Sequence, residues 1–136
     1  MFDENMPPKL ARAIIELSKG SNHQILIIRE EFGAGTSDVS WMTQSTNKYG
    51  PDVVAITCDH HIKSRPHEMA SFKNNGLRAF VLPKLFTQYK YWDKSAFLVR
   101  WWPKIVETAE TSSPGELFLI PGRQTPKDLK AYRSPS

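Results

Sequence analysis

Val53-Val54-Ala55-Ile56-Thr57-Cys58-Asp59 is a β-branched run that stops on an acid. It reads as a strand over 53–57, with the helix breaker Gly50-Pro51 just ahead of it. Upstream, Thr36 or Ser37 can cap a helix that runs to about Tyr49. Gly33-Ala34-Gly35 is a flexible loop, and the apolar run between Gln24 and Arg29 reads as a buried parallel strand. Further back, Pro7-Pro8 opens a helix, because proline is tolerated in a first turn. Leu10, Ile14 and Leu17 share one face of it, and Gly20 fits its stop. Met1-Phe2 is then the tail of a strand that ends at Asp3.

Downstream of the opening run, Pro66 starts a helix with Met69 and Phe72 on its inner face and Gly76 after its end. Leu77 to Leu82 is a further strand, closed by Pro83. The alternation β-α-β-α-β-α-β predicts an α/β fold whose central sheet is mainly parallel, with helices on both faces. In such sheets ligands bind beyond the carboxyl ends of the strands. Asp3 and Asp59 stand at such ends, and Asp38 stands in the first turn of a helix that follows a strand. Three carboxylates gathered at one sheet edge make a hard-oxygen site suited to Mg²⁺ or Mn²⁺. The chemistry this suggests is metal-assisted phosphodiester cleavage.

The last third differs. Asp93 can cap a long helix through about Thr111, with Phe97, Trp101 and Ile105 four apart and Leu98, Trp102 and Val106 on the adjacent stripe. Pro103 lacks an amide hydrogen and is expected to kink or restart that helix. Glu116 to Ile120 reads as an extra strand. One domain over 1–121 is expected, followed by a basic, loosely ordered tail over 122–136.

The composition agrees with one ordinary domain. The 136 residues are 40% hydrophobic and 11% aromatic, enough for a core, which argues against global disorder. The longest apolar runs, such as Ile25-Leu26-Ile27-Ile28, are far too short to span a bilayer. No secretion signal opens the chain, and the single cysteine, Cys58, suits a reducing cytoplasm. A net charge of +4 is a mild hint of an anionic partner.

Taken together, these segments resemble the PIN-like nucleases, in particular the compact, VapC-related group. The carrying segments are Phe2-Asp3-Glu4-Asn5-Met6-Pro7-Pro8-Lys9-Leu10-Ala11, Gly35-Thr36-Ser37-Asp38-Val39-Ser40-Trp41 and Val53 through Ile62. Arg65-Pro66-His67-Glu68 and Arg100-Trp101-Trp102-Pro103 also look like this group. The resemblance covers most of residues 1–110. It implies a three-layer α/β/α sandwich, an acidic cluster, Mg²⁺ or Mn²⁺, and hydrolysis of RNA. It also implies the toxin of a type II toxin–antitoxin pair, with an antitoxin partner and a homodimer.

Residue by residue, Asp3 matches the first acidic position, Asp38 the acid at the helix start, and Asp59 the acid of the Thr-x-Asp word. Such domains usually carry a fourth acid, for which Glu4 and Glu68 are candidates. Two residues precede Asp3, where a strand averages about five to six, so an incomplete N-terminus is the simpler expectation. Lys63, Arg65 and Arg29 are candidates for holding RNA phosphates. Tyr89, Tyr91 and Trp92 either stack bases or make core or a dimer face, the second being the commoner use of such aromatics. The alternative to a nuclease is a catalytically inactive PIN-like binding module for protein or RNA.

Overall fold

The computed structural model describes residues 2, 6–19, 33, 37–50, 53–58 and 65–132, with Asp38 described through its backbone only. The elements within that range are α1 (Pro8–Leu17), α2 (Asp38–Tyr49), β1 (Val54–Thr57), α3 (Pro66–Asn74), β2 (Arg78–Val81), a short 3₁₀ helix (Lys84–Gln88), α4 (Tyr91–Thr111) and β3 (Leu117–Leu119). The expected strand over 24–29 and the stop at Gly20 lie outside the described residues.

The sheet runs in the order β1-β2-β3, and both pairings are parallel. Phe2 adds a parallel bridge to Ile56 on the outer side of β1, and Ala131 adds an antiparallel bridge to Phe118 on the outer side of β3. Alternation along each strand divides the apolar residues between two faces. Ile56, Phe80 and Phe118 face one way, into a core with Leu10 and Ile14 of α1 and Phe97, Trp101 and Ile105 of α4. Ala55, Ala79, Val81 and Leu117 face the other way, into a core with Trp41 and Met42 of α2 and Phe72 of α3. A sheet with apolar side chains on both faces must be covered on both. The result is the expected three-layer α/β/α sandwich with a mainly parallel sheet.

Local chemistry accounts for the helix ends. Ser37 caps α2, its hydroxyl accepting a hydrogen bond from the Ser40 amide at 3.2 Å. Proline opens both α1 and α3, as the sequence predicts. Three expectations need correction. Leu17 is 69% exposed, because the buried stripe of α1 is Leu10, Ala11 and Ile14 and stops before the last turn. α4 begins at Tyr91 rather than Asp93, with Lys90 in the cap position. It also runs on past Pro103 as one helix, so of the two outcomes expected there, a kink or a restart, the restart does not occur. Pro103 frees the carbonyl of Val99 from its partner. Both residues lie on the exposed side of the helix, where water can satisfy that carbonyl.

Of the segment expected to be a loosely ordered tail, residues 122–132 are described. Leu129 and Ala131 pack against the core of α1 and α4. The Tyr132 amide donates to the Leu117 carbonyl at 2.6 Å. Lys104 of α4 holds Asp128 at 2.9 Å. No helix among the described residues is long and apolar enough to cross a membrane.

Candidate active site

The carboxyl edge of the sheet is where the fold can collect the predicted acids. Three parallel strands end there, β1, β2 and β3, and Phe2 lies in a parallel bridge beside β1. Asp3 follows Phe2 directly in the chain, and Asp59 comes two residues after Thr57, the last residue of β1. The Phe2–Ile56 bridge thus sets the residue before Asp3 beside a residue of β1 three positions before Asp59. α2 approaches the same edge by a different route. Its carboxyl end joins β1 through Gly50 to Val53, and Met42 packs on the sheet face that carries Ala55. A helix joined so closely to the strand it covers runs antiparallel to that strand. Its amino end, where Ser37 caps and Asp38 begins, therefore points toward the carboxyl edge.

The Asp3, Asp59, Glu4, Lys63 and Arg29 side chains lie outside the described residues, as do His60 and His61. Among the described residues no group of three or more acids, histidines or cysteines is close enough to hold a metal ion. The approach to the site is better defined. Thr57 is buried and Cys58 half-buried at the end of β1. The β1–β2 pairing continues past β2 through the Leu82 amide, which donates to the Thr57 carbonyl at 2.8 Å. This holds the backbone just ahead of Asp59 in the sheet, which suits a position that must present an oxygen reproducibly.

Arg65 and Glu68, read separately as a phosphate contact and a fourth acid, stand together in the structure. The Arg65 guanidinium donates to both Glu68 carboxylate oxygens, at 3.2 and 3.4 Å, across the first turn of α3. Arg65 is exposed and Glu68 half-buried. The pair is an i,i+3 contact at a helix start, where the acid also meets the favourable end of the helix dipole. Each side chain therefore has a structural use within α3.

The sequence reading did not anticipate what else meets this edge. β2 leaves it through Leu82-Pro83 into the 3₁₀ helix, and α4 starts directly after. The far end of α4 lies at the opposite edge, where Arg78 donates to the Ser112 carbonyl at 3.2 Å and the Gly115 amide to the Leu77 carbonyl at 2.8 Å. So α4 spans the sheet from its carboxyl to its amino edge, and its first turn overhangs the strand ends. Trp102 marks where it passes Phe2, with its ring centroid 5.7 Å from that of Phe2. Only side-chain placement could have revealed this, because the sequence places Trp101 and Trp102 on adjacent stripes of one helix and does not say what either meets.

The profile of a family described as a PIN like domain matches residues 1–84. That stretch holds Asp3, Asp38 and Asp59, and it includes β1, β2 and the helices α1 to α3. A comparison with curated proteins and one with solved structures each found no match. Domains of this kind are generally nucleases and usually work with divalent metal ions. The match covers more than half of the chain, and the parallel α/β sheet it requires is present: this chain belongs to the PIN-like domain family.

Proposed function

We propose that the protein is a metal-dependent endoribonuclease that hydrolyses RNA phosphodiester bonds. The observation that carries the reading is the family match over residues 1–84, a stretch that contains Asp3, Asp38 and Asp59. The donor set fits the group: carboxylate oxygens are hard ligands, chosen by Mg²⁺ and Mn²⁺ over softer metals. Asp3 and Asp59 would hold the ion, and Asp38 would hold the same ion, a second one or an ordered water. A bound ion of this type lowers the pKa of its water and offsets charge on the transferring phosphoryl group. The chain's own contribution is positional. Strand ends fixed by the Phe2–Ile56 bridge and the Leu82–Thr57 hydrogen bond carry the backbone up to Asp3 and Asp59. The Ser37 cap fixes the turn that begins at Asp38. Lys63, Arg65 and Arg29 would meet substrate phosphates.

The finer reading is a toxin of a type II toxin–antitoxin pair, a cytoplasmic homodimer restrained by an antitoxin protein. It rests on the resemblance of residues 1–110 to the VapC-related group.

The test is cleavage of labelled structured and unstructured RNAs with Mg²⁺, Mn²⁺ or EDTA, comparing wild type with Asp3→Asn and Asp59→Asn. Metal-dependent cleavage lost in both variants supports the nuclease. Retained RNA binding with no cleavage under any metal favours the inactive binding module. For the toxin reading, growth arrest on expression that depends on Asp59 is the expected outcome; unimpaired growth alongside active protein counts against it.

A further inference from the structure

The first turn of α4 carries an exposed aromatic pair. Trp92 is 80% exposed and Tyr91 41% exposed, with their rings edge to face at 5.5 Å between centroids. The other described aromatic side chains are buried or partly buried, with Phe80, Phe86, Phe97 and Trp101 fully in the core. Leaving a tryptophan in water forgoes the burial that makes the residue worth having. Neither ring is needed to cap or close the helix, whose start is already fixed by Phe86, Tyr89 and Phe97 packing beneath it.

The surroundings are cationic. Between 84 and 94 stand Lys84, Lys90 and Lys94 against a single acid, Asp93, which is three positive charges to one negative. Lys84 and Lys90 are exposed and make no ion pair with the described residues, whereas Lys94 lies over the Phe86 ring at 5.8 Å. Flat π-faces set among exposed cations suit one kind of partner, a polyanion that also offers unstacked rings. That is single-stranded nucleic acid. An apolar protein partner would not call for the lysines, and a duplex would hide the rings of its bases.

Position connects the patch to the site. Trp92 precedes Trp102 by ten residues of one helix. At 1.5 Å per residue, it stands about 15 Å beyond the point where α4 passes Phe2, on the carboxyl side of the sheet. That is about four to five stacked nucleotides at roughly 3.4 Å each.

We propose that Tyr91 and Trp92, with Lys84 and Lys90, form a base-stacking platform that holds the single-stranded flank of the substrate a few nucleotides from the acidic edge. The proposal deepens the ribonuclease reading and rests on it for the identity of the substrate. The platform itself acts in binding and touches no reacting atom.

The experiment is fluorescence anisotropy of the full chain with labelled oligouridylate in EDTA, which reads binding without cleavage. An abasic oligomer of the same length serves as the comparison, having the phosphates without the rings. Wild type should bind oligouridylate more tightly than the abasic strand. Trp92→Ala should weaken oligouridylate binding about five- to a hundredfold and erase the preference, while Trp92→Phe restores most of it. Lys84→Ala and Lys90→Ala should each lower the slope of log affinity against log salt by about 0.7. Unchanged affinity in a folded Trp92→Ala would overturn the platform while leaving any metal-dependent cleavage, and so the nuclease, intact. A Trp92→Ala variant that binds normally but sediments at half the mass of wild type would also overturn it, assigning the rings to a dimer face. Cleavage lost in Asp59→Asn with oligouridylate binding unchanged keeps the platform and the nuclease distinct.

Discussion

Phe2 and Ile56 form a parallel bridge, although 53 residues of chain lie between them. Phe2 is fully buried by it, with Trp102 against its ring. The bridge aligns the backbone leading into Asp3 with the backbone leading into Asp59, and it is the strongest structural reason to treat these acids as one group. Asp59→Asn should therefore abolish RNA cleavage by more than the roughly 10–100-fold that changes in outer-shell groups cost, while leaving the thermal unfolding of the protein unchanged or raised. Single-turnover cleavage with Mn²⁺ checks this, and an active, well-folded variant would remove Asp59 from the site.

Ser37→Ala removes the hydroxyl that accepts the Ser40 amide. The expected cost is about 1 kcal/mol, the usual worth of such a cap, read from urea unfolding. Because the capped turn begins at Asp38, cleavage should fall as well. Ser37→Asp, which restores an acceptor, should recover the stability.

Trp101 is fully buried in α4, and its indole Nε1–H donates to the Arg123 carbonyl at 2.9 Å. It thereby fastens the chain beyond β3 to the helix layer. Trp101→Phe keeps most of the apolar volume and loses the donor, leaving a carbonyl that can turn to solvent; about 0.5–1.5 kcal/mol is expected. Trp101→Ala opens a cavity as well and should cost about 3–5 kcal/mol. Near-equal unfolding midpoints for the two variants would mean that the hydrogen bond, not the packing, sets the effect.

Lys104 and Asp128 couple α4 to the segment after β3 through a 2.9 Å contact. The hydrogen bond from Lys104 holds the Asp128 carboxyl below its ordinary range, and the lysine's charge adds to this. The same bond raises the Lys104 ammonium above its ordinary 10.5. The signs set the window. A lowered carboxylate stabilises the fold above its unfolded value and loses that contribution as pH falls through the folded one; a raised ammonium loses its contribution as pH rises through the folded value. The Tm difference between wild type and Asp128→Asn should thus be flat near neutrality and narrow at both the acid and the alkaline end. The pair is exposed, so high salt should shrink the difference as well. A difference that grows on acidification would contradict the assignment.

Much of this protein could be read from sequence by local physics. The β-branched run before Asp59, the proline at the start of α1 and of α3, the Ser37 cap and the four-residue spacing of Phe97, Trp101 and Ile105 each act over a few residues. The short-range rules for them therefore hold without knowledge of the rest. The parallel sheet followed from the alternation of elements, because a crossover helix between strands leaves few other topologies. The resemblance named the same family that the profile match over residues 1–84 shows.

Other features depend on what folding brings together, and no spacing encodes them. Arg65 and Glu68 read in sequence as a phosphate contact and a metal acid, and the structure adds that the guanidinium donates to both carboxylate oxygens. Leu17 fits the helical stripe by period, yet α1 buries that stripe only as far as Ile14. Trp101 and Trp102 are adjacent in sequence, but a helix turns about 100° per residue, so one fills the core while the other is half-exposed beside Phe2. Trp92 carries the same composition signal as the buried aromatics and yet stays exposed in the first turn of α4. A sequence states which side chains are available and how often they recur along one element. Which of them is buried, paired or left exposed is set by the neighbours on other elements, and only the tertiary structure supplies those.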